Sequence, residues 1–404
     1  MDVLLISAGD LLDEQYHDKE YDKNQVAMPP LGLLYLGQVL VNNSYDVKVY
    51  DQNVTGVRNA ELMETLIKKW DPHIIGVSTC IHNYWTTIDL VRRIKEWNPN
   101  AIIVAGNYIA TFFPDKLMQE EPVDYCIRGE AEYSFLDLVN RLMRGEQVND
   151  EIKGLVYRER GIIKTSPIPE PIKDIDSIPI PDRRLIDFGY QLQHKSTSIM
   201  TSRGCPNNCR FCYFSSIMGR RWRARSVDNL IEELSMLKSQ GYKDIVLGDS
   251  NFNLNKKRTL HLCAEIKKNG LDSIAYSGDM RVDGVNYDVM RSLQKVNFGK
   301  ILFGIESGNQ RILDYYNKGI TIAQVQQAVK TANKARLDVI MASFIIGATD
   351  ETLSEVITTI KFANKLDISF ASFQLLLTIP ISPIYQELVE RGYYKPQKDD
   401  WKKS

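Results

Sequence analysis

The chain has 404 residues, of which 44% are hydrophobic and 25% are charged. This length suffices for two domains with cores of their own. Acidic and basic residues nearly cancel to a formal charge of -1, so no overall field favours nucleic acid or an anionic membrane. Composition therefore indicates a globular protein whose partners are neither nucleic acids nor membranes.

The amino-terminal run 1–7 is apolar, but it lacks the length and the basic start of a signal peptide. No stretch approaches the ~20 uninterrupted apolar residues of a spanning helix. With six cysteines in a chain of this size and no secretory leader, a disulfide framework is not expected. We therefore expect a cytoplasmic protein whose thiols stay reduced.

Strand and helix patterns alternate over residues 1–148. The predicted helices include 31–40 and 85–97, and the predicted strands are 3–7, 45–50, 74–78, 102–105 and 125–127. Five βα units of this length predict an α/β domain with a doubly wound, Rossmann-like parallel sheet. Ligands of such sheets bind at the carboxyl ends of the strands.

Glycine and polar residues follow these predicted strands, and glycine lets the backbone approach a large ligand closely. No GxGxxG fingerprint follows the first strand, which disfavours a nicotinamide cofactor. The residues at these strand ends that are expected to contact a ligand are Gly9, Thr79, His82, Asn83, Gly106, Asn107, Tyr108, Arg128, Gly129 and Glu130.

Residues 149–190 are predicted to form a hairpin and a proline-rich linker. The hairpin spans 154–164 with Gly161 in its turn, and five of the fifteen prolines follow it within 167–181. Such density prevents helices and sheet ladders, so the linker should be semi-rigid. Arg183 and Arg184 at its end are interpreted as solvated, with contact to an anionic cofactor as the alternative.

Strand and helix patterns return over 191–385. The helix 226–239 should be capped by Ser226, and the predicted strands are 197–201, 244–247, 273–277, 300–305, 339–346 and 370–377. Six βα units are too few to close an eight-stranded barrel. We predict an open (β/α)6 barrel with its chemistry at the carboxyl ends of the strands, followed by a short charged tail over 386–404.

The most informative segment is a loop with three cysteines, Cys205, Cys209 and Cys212, at C-x3-C-x2-C spacing. Three thiolates fill three of the four iron corners of a 4Fe-4S cluster and leave one iron open to a small molecule. Zinc is the alternative, but structural zinc usually takes paired C-x2-C ligands, and no histidine follows before His261. The spacing therefore favours an iron-sulfur cluster that supports radical chemistry.

This loop resembles the defining loop of the radical SAM superfamily, in which an aromatic residue precedes the last cysteine, here Phe211. The first 145 residues resemble the cobalamin-binding domain that stands in front of many radical SAM barrels. That likeness is carried by the sequences 28–36, 106–108 and 126–132, and it adds Met28 and Leu31 to the expected cobalamin contacts. The chain is identified as a member of the cobalamin-binding radical SAM family over residues 2 to about 390.

The resemblance implies contacts for S-adenosylmethionine at the barrel strand ends. Asp249 stands where the superfamily has an acid facing the methionine amino group, with a local turn cap as the alternative. Arg281 can bind a carboxylate bidentately, and Glu306 is implied for the ribose hydroxyls. The other implied cofactor contacts are Phe211, Tyr213, Gly248, Ser277, Ser307 and Ile346.

The loop 9–27 lacks the Asp-x-His-x-x-Gly motif whose histidine binds cobalt in cobalamin mutases. Weak lower contacts to cobalt are considered for His17, His82, Tyr84 and Tyr108, although packing or hydrogen bonding is the preferred interpretation of each. A weakly ligated cobalt gives up a methyl group more readily.

The resemblance implies a mechanism as well. One electron from an external reductant would cleave S-adenosylmethionine to a 5'-deoxyadenosyl radical, which would take a hydrogen from an unactivated sp3 carbon. Methylcobalamin would then deliver a methyl group. We expect a C-methyltransferase; the alternatives are a cobalamin-dependent rearrangement or cyclisation enzyme and a non-catalytic cobalamin carrier or sensor.

The expected substrate is a peptide or protein side chain, because an open barrel without a lid could admit one. The layout is similar to that of methanogen enzymes that methylate a glutamine of methyl-coenzyme M reductase; a small molecule such as a lipid or antibiotic precursor is the alternative. Arg220, Arg221, Arg223 and Arg225 form a basic run that is either a solvated face or a contact for an acidic substrate or the cofactor.

Overall fold

The computed structural model describes residues 1–9, 28–52, 60–186 and 195–402. The chain forms two compact units, one of Met1–His194 with Gln397–Ser404 and one of Lys195–Pro396. None of the helices in the described ranges has the length and apolar character that a membrane crossing needs.

The first unit is built on a seven-stranded sheet. Its strands are β1 Val3–Ser7, β2 Val47–Asp51, β3 Ile74–Ser78, β4 Ile102–Gly106, β5 Tyr125–Ile127, β6 Leu155–Glu159 and β7 Ile162–Thr165. They lie in the order β2-β1-β3-β4-β5-β6-β7, and β1 to β5 pair in parallel. The direction of winding reverses between β1 and β3, where doubly wound sheets take their ligands. The predicted Rossmann-like sheet is confirmed.

Helices cover this sheet, and its central strands are almost wholly buried because both faces are packed. The helices are α1 Leu31–Asn42, α2 Ala60–Trp70, α3 Tyr84–Trp97, α4 Asn107–Phe112, α5 Pro114–Glu120 and α6 Glu132–Arg144. The hairpin β6–β7 extends the same sheet in antiparallel fashion beyond β5. Its turn has positive φ at Arg160 and Gly161, as a tight hairpin turn requires.

Two arginines at the end of the proline-rich segment have different surroundings. Arg184 is exposed and its Nε lies 2.7 Å from Oδ2 of Asp182, in line with the solvated interpretation. That interpretation is wrong for Arg183, whose side chain is fully buried and whose Nη1 donates to the Pro181 carbonyl at 2.7 Å. Burial of a guanidinium requires such acceptors, which the sequence pattern alone does not reveal.

The last described residues pack into the first unit. Trp401 is 1% exposed, and its ring meets Tyr84 edge-on at 5.3 Å and Phe113 at 6.1 Å. Lys402 forms an ion pair with Glu120 at the end of α5. The segment that the sequence predicts to be a charged tail therefore contributes a buried residue, Trp401, to the core of the first unit.

The second unit contains a six-stranded parallel sheet. Its strands are β8 Ser196–Ile199, β11 Asp244–Leu247, β12 Ala275–Met280, β13 Phe298–Glu306, β14 Val339–Ile346 and β15 Phe370–Leu375, and a short antiparallel pair is formed by β9 Ser202–Arg203 and β10 Arg223–Ala224. The six strands lie in sequence order from β8 to β15. This sequential parallel order is that of the predicted open (β/α)6 barrel, which is confirmed.

Eight helices are described in this unit. They are α7 Phe214–Met218, α8 Val227–Ser239, α9 Lys256–Lys268, α10 Tyr287–Lys295, α11 Gln310–Tyr315, α12 Ile322–Lys334, α13 Leu353–Lys365 and α14 Pro383–Glu390. Ser226 caps α8 as predicted, because its side chain accepts from the Asn229 amide. Alternate strand residues such as Tyr276, Phe303 and Phe344 are buried in the core, and the residues between them are part-exposed.

Candidate active site

The three cysteines lie on the loop between β9 and α7. All are partly exposed, and no disulfide joins them. The loop starts at Gly204, which has φ +80° and would place an added Cβ 2.3 Å from the Arg221 carbonyl oxygen. The Cys205 amide donates to the Gly219 carbonyl at 3.2 Å. Glycine at position 204 is therefore required both for the left-handed backbone and for this close approach.

Side-chain N–H groups are directed at two of the thiols. Asn207 Nδ2 lies 3.3 Å from Sγ of Cys205, and Arg281 Nη1 lies 3.8 Å from Sγ of Cys209. Burial holds the pKa of the Cys209 thiol above its ordinary value, and the neighbouring charges of Lys318 and Arg281 oppose that shift. Such donors and cations favour a thiolate, the form that binds iron.

Arg281, at the end of β12, is held from several sides. Its Nε and Nη2 form a bidentate pair with Asp283 at 3.0 and 2.8 Å, and Nη2 also donates to the Lys318 carbonyl at 2.6 Å. The side chain is buried, with only Nη1 turned to Cys209. The bidentate face that the sequence assigned to a ligand carboxylate is thus occupied by Asp283.

Glu306 ends β13 with φ +74°, a left-handed conformation that is strained for a residue with a side chain. Its Oε1 accepts from Lys318 Nζ at 2.7 Å, and both side chains are less than 10% exposed. The same Nζ lies 5.8 Å from the centre of the Phe211 ring, which meets Tyr316 edge-on at 5.3 Å. The end of β13, the segment after α11 and the cysteine loop are thereby joined.

The segment after α11 also holds the cysteine loop through its backbone. The Arg210 amide donates to the Tyr316 carbonyl at 2.9 Å, and Asn317 Nδ2 donates to the Asn208 carbonyl at 2.8 Å. Arg210 Nη2 pairs with Glu387 of α14 at 2.7 Å. The loop is therefore positioned by contacts that come from over a hundred residues further along the chain.

Asp249 follows β11 and is buried, and both of its carboxylate oxygens already accept hydrogen bonds. Its two oxygens accept from the amide and hydroxyl of Thr201 at 2.6 and 2.5 Å, and from those of Ser202 at 3.2 and 2.7 Å. Burial raises the pKa of this carboxyl, and these bonds oppose the rise. The arrangement corresponds to the local-cap alternative, in which Asp249 braces the chain entering the cysteine loop.

The remaining barrel candidates have mixed surroundings. Ser307 is fully buried; its hydroxyl lies 3.0 Å from that of Thr359 in α13 and accepts from the Asn309 amide at 3.1 Å. Ser277 is part-exposed, and Tyr213 stacks on Phe214 with ring centres 4.7 Å apart. The other two candidates, Gly248 and Ile346, form backbone hydrogen bonds. The Gly248 amide donates to the Ile199 carbonyl, and the Ile346 carbonyl accepts from the Leu376 amide.

The carboxyl edge of the first unit's sheet is tied by neutral hydrogen bonds. Thr79 Oγ1 donates to the Gly106 carbonyl at 2.7 Å, and Asn83 Nδ2 donates to the Ser78 carbonyl at 3.1 Å. Asn107 has φ +74° and its Nδ2 lies 3.0 Å from the Ser78 hydroxyl. Among the described residues, no atom lies within 4 Å of a Cβ added to Gly106, so a ligand can approach this glycine closely.

Residues near the end of β1 flank the same edge. The Gly9 amide donates to Oε1 of Gln52 at 2.9 Å. Met28 is exposed, and Leu31 begins α1 part-exposed. His17 and the rest of the segment 10–27 lie outside the described residues.

Three of the four residues considered for a lower contact to cobalt are described, and their environments differ. Tyr84 and Tyr108 are buried in the core, and Tyr84 donates to Glu121 at 3.4 Å, so neither ring is presented at the surface. His82 is exposed and is the described candidate that a ligand could reach.

The predicted contacts 128–130 are engaged within the fold. Arg128 Nε donates to the Thr111 carbonyl at 3.1 Å, and the Gly129 amide to the Thr111 hydroxyl at 3.3 Å. Glu130 Oε2 accepts from the Ile172 amide at 2.7 Å, which ties the proline-rich segment to the end of β5.

Comparison with known proteins assigns both units. The Radical SAM superfamily model matches residues 199–363, and the B12 binding domain model matches residues 23–139. An uncharacterized methyltransferase, PH0819, of Pyrococcus horikoshii is 39% identical over 365 residues, which cover 89% of this chain and 78% of that protein. The chain belongs to the B12-binding radical SAM methyltransferase family.

Other known proteins share either sequence similarity or the fold with this chain. An anaerobic magnesium-protoporphyrin IX monomethyl ester cyclase of Cereibacter sphaeroides is 26% identical, and the match covers 89% of this chain and 60% of the cyclase. Among solved structures, the radical S-adenosylmethionine methyltransferase TsrM of Kitasatospora setae, with cobalamin and a [4Fe-4S] cluster bound, superposes with a TM-score of 0.81. Identity is 18%, over 97% of this chain and 75% of TsrM. The cobalamin-dependent radical enzyme OxsB gives a TM-score of 0.76 at 21% identity, over 96% of this chain and 55% of OxsB.

The donor set of the methyltransferase suits a cluster better than a single ion. Among the described residues, no group of three or more His, Cys, Asp or Glu side chains could hold one metal ion. A cubic cluster takes its three thiolates at separate iron corners, so it needs no such convergence. The cysteine spacing and the N–H donors at two thiols fit the cluster of this family.

Several site residues could not be found from the sequence. Asn207 lies inside the cysteine loop, but nothing in its position signals a bond to sulfur. Lys318 belongs to the Asn-Lys-Gly segment that the resemblance singled out, without an assigned role. The buried Tyr316 hydroxyl and the buried Asn251 Oδ1 have no hydrogen-bond partner among the described residues.

Proposed function

We propose that this protein is a cobalamin-dependent radical SAM C-methyltransferase that methylates an unactivated sp3 carbon of a peptide or protein side chain. The observation that carries the proposal is the cysteine loop, with N–H donors at Cys205 and Cys209 and the buried pair of Lys318 and Glu306 beside it. These contacts suit an anionic thiolate cluster at the strand ends of the barrel.

In this proposal Cys205, Cys209 and Cys212 are the cluster ligands. When bound, the cluster supplies an electron to S-adenosylmethionine and cobalamin supplies the methyl group. Because Asp249 is occupied, Asn251 takes the role of accepting from the methionine amino group through its buried, unbonded Oδ1.

The other S-adenosylmethionine contacts are assigned to residues of the cysteine loop and of the barrel strand ends. They are Phe211, Tyr213, Ser277 and Ile346, together with Glu306 through the carboxylate oxygen that Lys318 does not use.

Cobalamin is assigned to the carboxyl edge of the first unit's sheet. The proposal is supported by Gly106, where no described atom lies within 4 Å of an added Cβ, and by the hydrogen bonds of Thr79, Asn83 and Asn107, which hold the neighbouring strand ends. Gly9, Met28, Leu31 and His82 complete the contacts.

A peptide substrate is supported by the last strand of the barrel sheet. β15 pairs only with β14 among the described strands, so its outer edge leaves backbone donors and acceptors open to an extended chain. Along it Phe370, Phe373 and Leu375 are exposed, Leu375 by 82%. We propose that an extended peptide with apolar residues near the target lies there; a glutamine side chain, as in methyl-coenzyme M reductase, is one such target.

The test is anaerobic reconstitution of the cysteine variants. Cys205→Ala, Cys209→Ala and Cys212→Ala should each lose cluster absorbance and 5'-deoxyadenosine formation, whereas Cys263→Ala, in α9, should retain both. With an acceptor peptide the wild-type protein should add the mass of one methylene group. Cleavage of S-adenosylmethionine by the loop variants would contradict the proposal.

The relative that is a cyclase favours one second candidate, cobalamin-dependent cyclisation or rearrangement. Its product would lack the added methylene mass while 5'-deoxyadenosine still formed. A cobalamin carrier or sensor would bind cobalamin and form no 5'-deoxyadenosine.

A further inference from the structure

Arg220 and Arg221 form an exposed positive pair next to the cysteine loop. Both side chains are exposed, and neither has an acidic partner among the described residues. Arg220 Nη2 donates to Oδ1 of Asn208, within the loop, at 2.6 Å. The Arg221 carbonyl faces Gly204, the residue that precedes Cys205. The two charges are therefore carried by a segment in direct contact with the loop that holds the predicted cluster ligands.

The other arginines of this run are not part of the surface. Arg223 and Arg225 are buried, and Arg225 forms an ion pair with Glu233 of α8. Arg258 lies over the Trp222 ring at 5.8 Å and donates to the Thr201 carbonyl at 2.8 Å. The basic run expected from the sequence is thus divided, because β10 turns alternate side chains inward and leaves only the pair before Trp222 outside.

An unpaired positive patch attracts acidic partners from solution and raises their association rate. Electron transfer to a cluster requires proximity to the cysteine loop, and weak electron-transfer complexes have small interfaces. A patch of two arginines on the segment that contacts the loop meets both conditions. A substrate, by contrast, has to reach the carboxyl ends of the barrel strands.

We propose that Arg220 and Arg221 are the docking site for an acidic one-electron donor protein of low potential. The inference rests on the proposed function, because the acceptor is the cluster of the three cysteines. In the step the donor is oxidised by one electron and the cluster is reduced by one electron, and no bond forms or breaks.

In the test, the reconstituted full-length protein is mixed rapidly with a fully reduced flavodoxin. The rate of cluster reduction is monitored through the change in cluster absorbance. Arg221→Glu and the double variant Arg220→Gln/Arg221→Gln should lower the second-order rate constant roughly tenfold or more at low salt. The difference should shrink as salt increases, because screening weakens the attraction in the wild-type protein. Dithionite, a small anion that needs no protein interface, should reduce all variants at nearly the same rate at high salt, where charge effects are screened.

Lys267→Glu is the matched control for charge. Lys267 is exposed in the last turn of α9, which runs back from the end of β11 and so lies at the opposite edge of the sheet. Its reversal should leave flavodoxin reduction unchanged. An unchanged rate in Arg221→Glu, or an equal loss in Lys267→Glu, overturns the docking site.

Two further outcomes separate this inference from the proposed function. If the variants weaken acceptor peptide binding while flavodoxin reduces them normally, the pair belongs to an acidic substrate and the inference is overturned. If the dithionite-reduced wild-type protein forms no 5'-deoxyadenosine, the proposed function fails, whereas the docking result still stands on the rate of cluster reduction. A reconstituted chain without a cluster overturns both.

Discussion

In the second unit the cysteine loop is held by charged side chains, whereas in the first unit the carboxyl ends of β3 and β4 are held by neutral hydrogen bonds. Arg281 and Lys318 surround the loop, each paired with a carboxylate. Thr79, Asn83 and Asn107 instead bond to nearby carbonyl or hydroxyl groups. The N–H donors at Cys205 and Cys209 suit an anionic cluster, whereas the neutral ends of β3 and β4 suit a large cofactor recognised by shape.

The largest effect is expected from Gly204→Ala. The added Cβ would lie 2.3 Å from the Arg221 carbonyl, so the start of the cysteine loop has to move. We expect almost complete loss of cluster incorporation, measured as bound iron and sulfide. Gly241→Ala is the control, since Gly241 has a similar positive φ but no atom within 4 Å of the added Cβ. Normal iron content in Gly204→Ala would show that the loop tolerates a shifted entry.

Lys318→Met tests the charged arrangement of the second unit. Removing one member of a buried ion pair leaves Glu306 uncompensated and typically costs about 3–5 kcal/mol. The free energy of unfolding should fall by that order in urea titration. The double variant Lys318→Met/Glu306→Gln should recover part of the loss. Equal stability of the single and double variants would mean that the pair is not electrostatically coupled.

Trp401→Ala tests whether the first unit depends on the distant carboxyl-terminal segment. Truncating a fully buried Trp typically costs about 3–5 kcal/mol. Trp401 contacts Tyr84, which begins α3 after β3, and Phe113, which joins α4 to α5 after β4; β3 and β4 belong to the proposed cobalamin edge. We expect a lower thermal midpoint and weaker cobalamin binding, measured by calorimetry. Trp85→Ala, at an exposed position, should change the thermal midpoint and cobalamin binding much less. Equal changes in the two variants would show that Trp401 is no more important to the first unit than an exposed tryptophan.

Arg281→Met should lower the reduction potential of the reconstituted cluster. The change removes both a positive charge and the N–H donor at Cys209, and each favours the reduced cluster. The potential is measured by a titration followed with electron paramagnetic resonance. Arg210→Met removes an equal charge from the loop without a sulfur contact and should shift the potential less. Equal shifts would assign the effect to charge alone.

The smallest effect is expected from Ser307→Ala. Its hydroxyl lies against Thr359 in the core, so its loss should cost about 1 kcal/mol of stability. The affinity for S-adenosylmethionine, measured by equilibrium binding, should not change. A clear loss of that affinity would return Ser307 to the cofactor site that the sequence resemblance implied.

Much of the fold could be predicted from the sequence, because strand and helix periodicity are local properties. The strand 339–346 and the capped helix after Ser226 are found at the expected residues. The cysteine spacing likewise lies within eight residues and needs no tertiary information. Prediction failed where neighbouring residues do not decide whether a side chain is buried. Arg183 is interpreted as solvated because it ends a proline-rich linker, but the folded chain buries its side chain.

The sequence by itself determined the two α/β units, their order and the three-thiol loop, since periodicity and spacing are written in neighbouring residues. Only the tertiary structure decided which groups meet at that loop. Asp249 is used by Thr201 and Ser202, and Arg281 reaches both Asp283 and the Lys318 carbonyl. The reason is that partners far apart in the chain are brought together by the shared carboxyl ends of parallel strands, and a side chain already paired there is no longer available to a ligand.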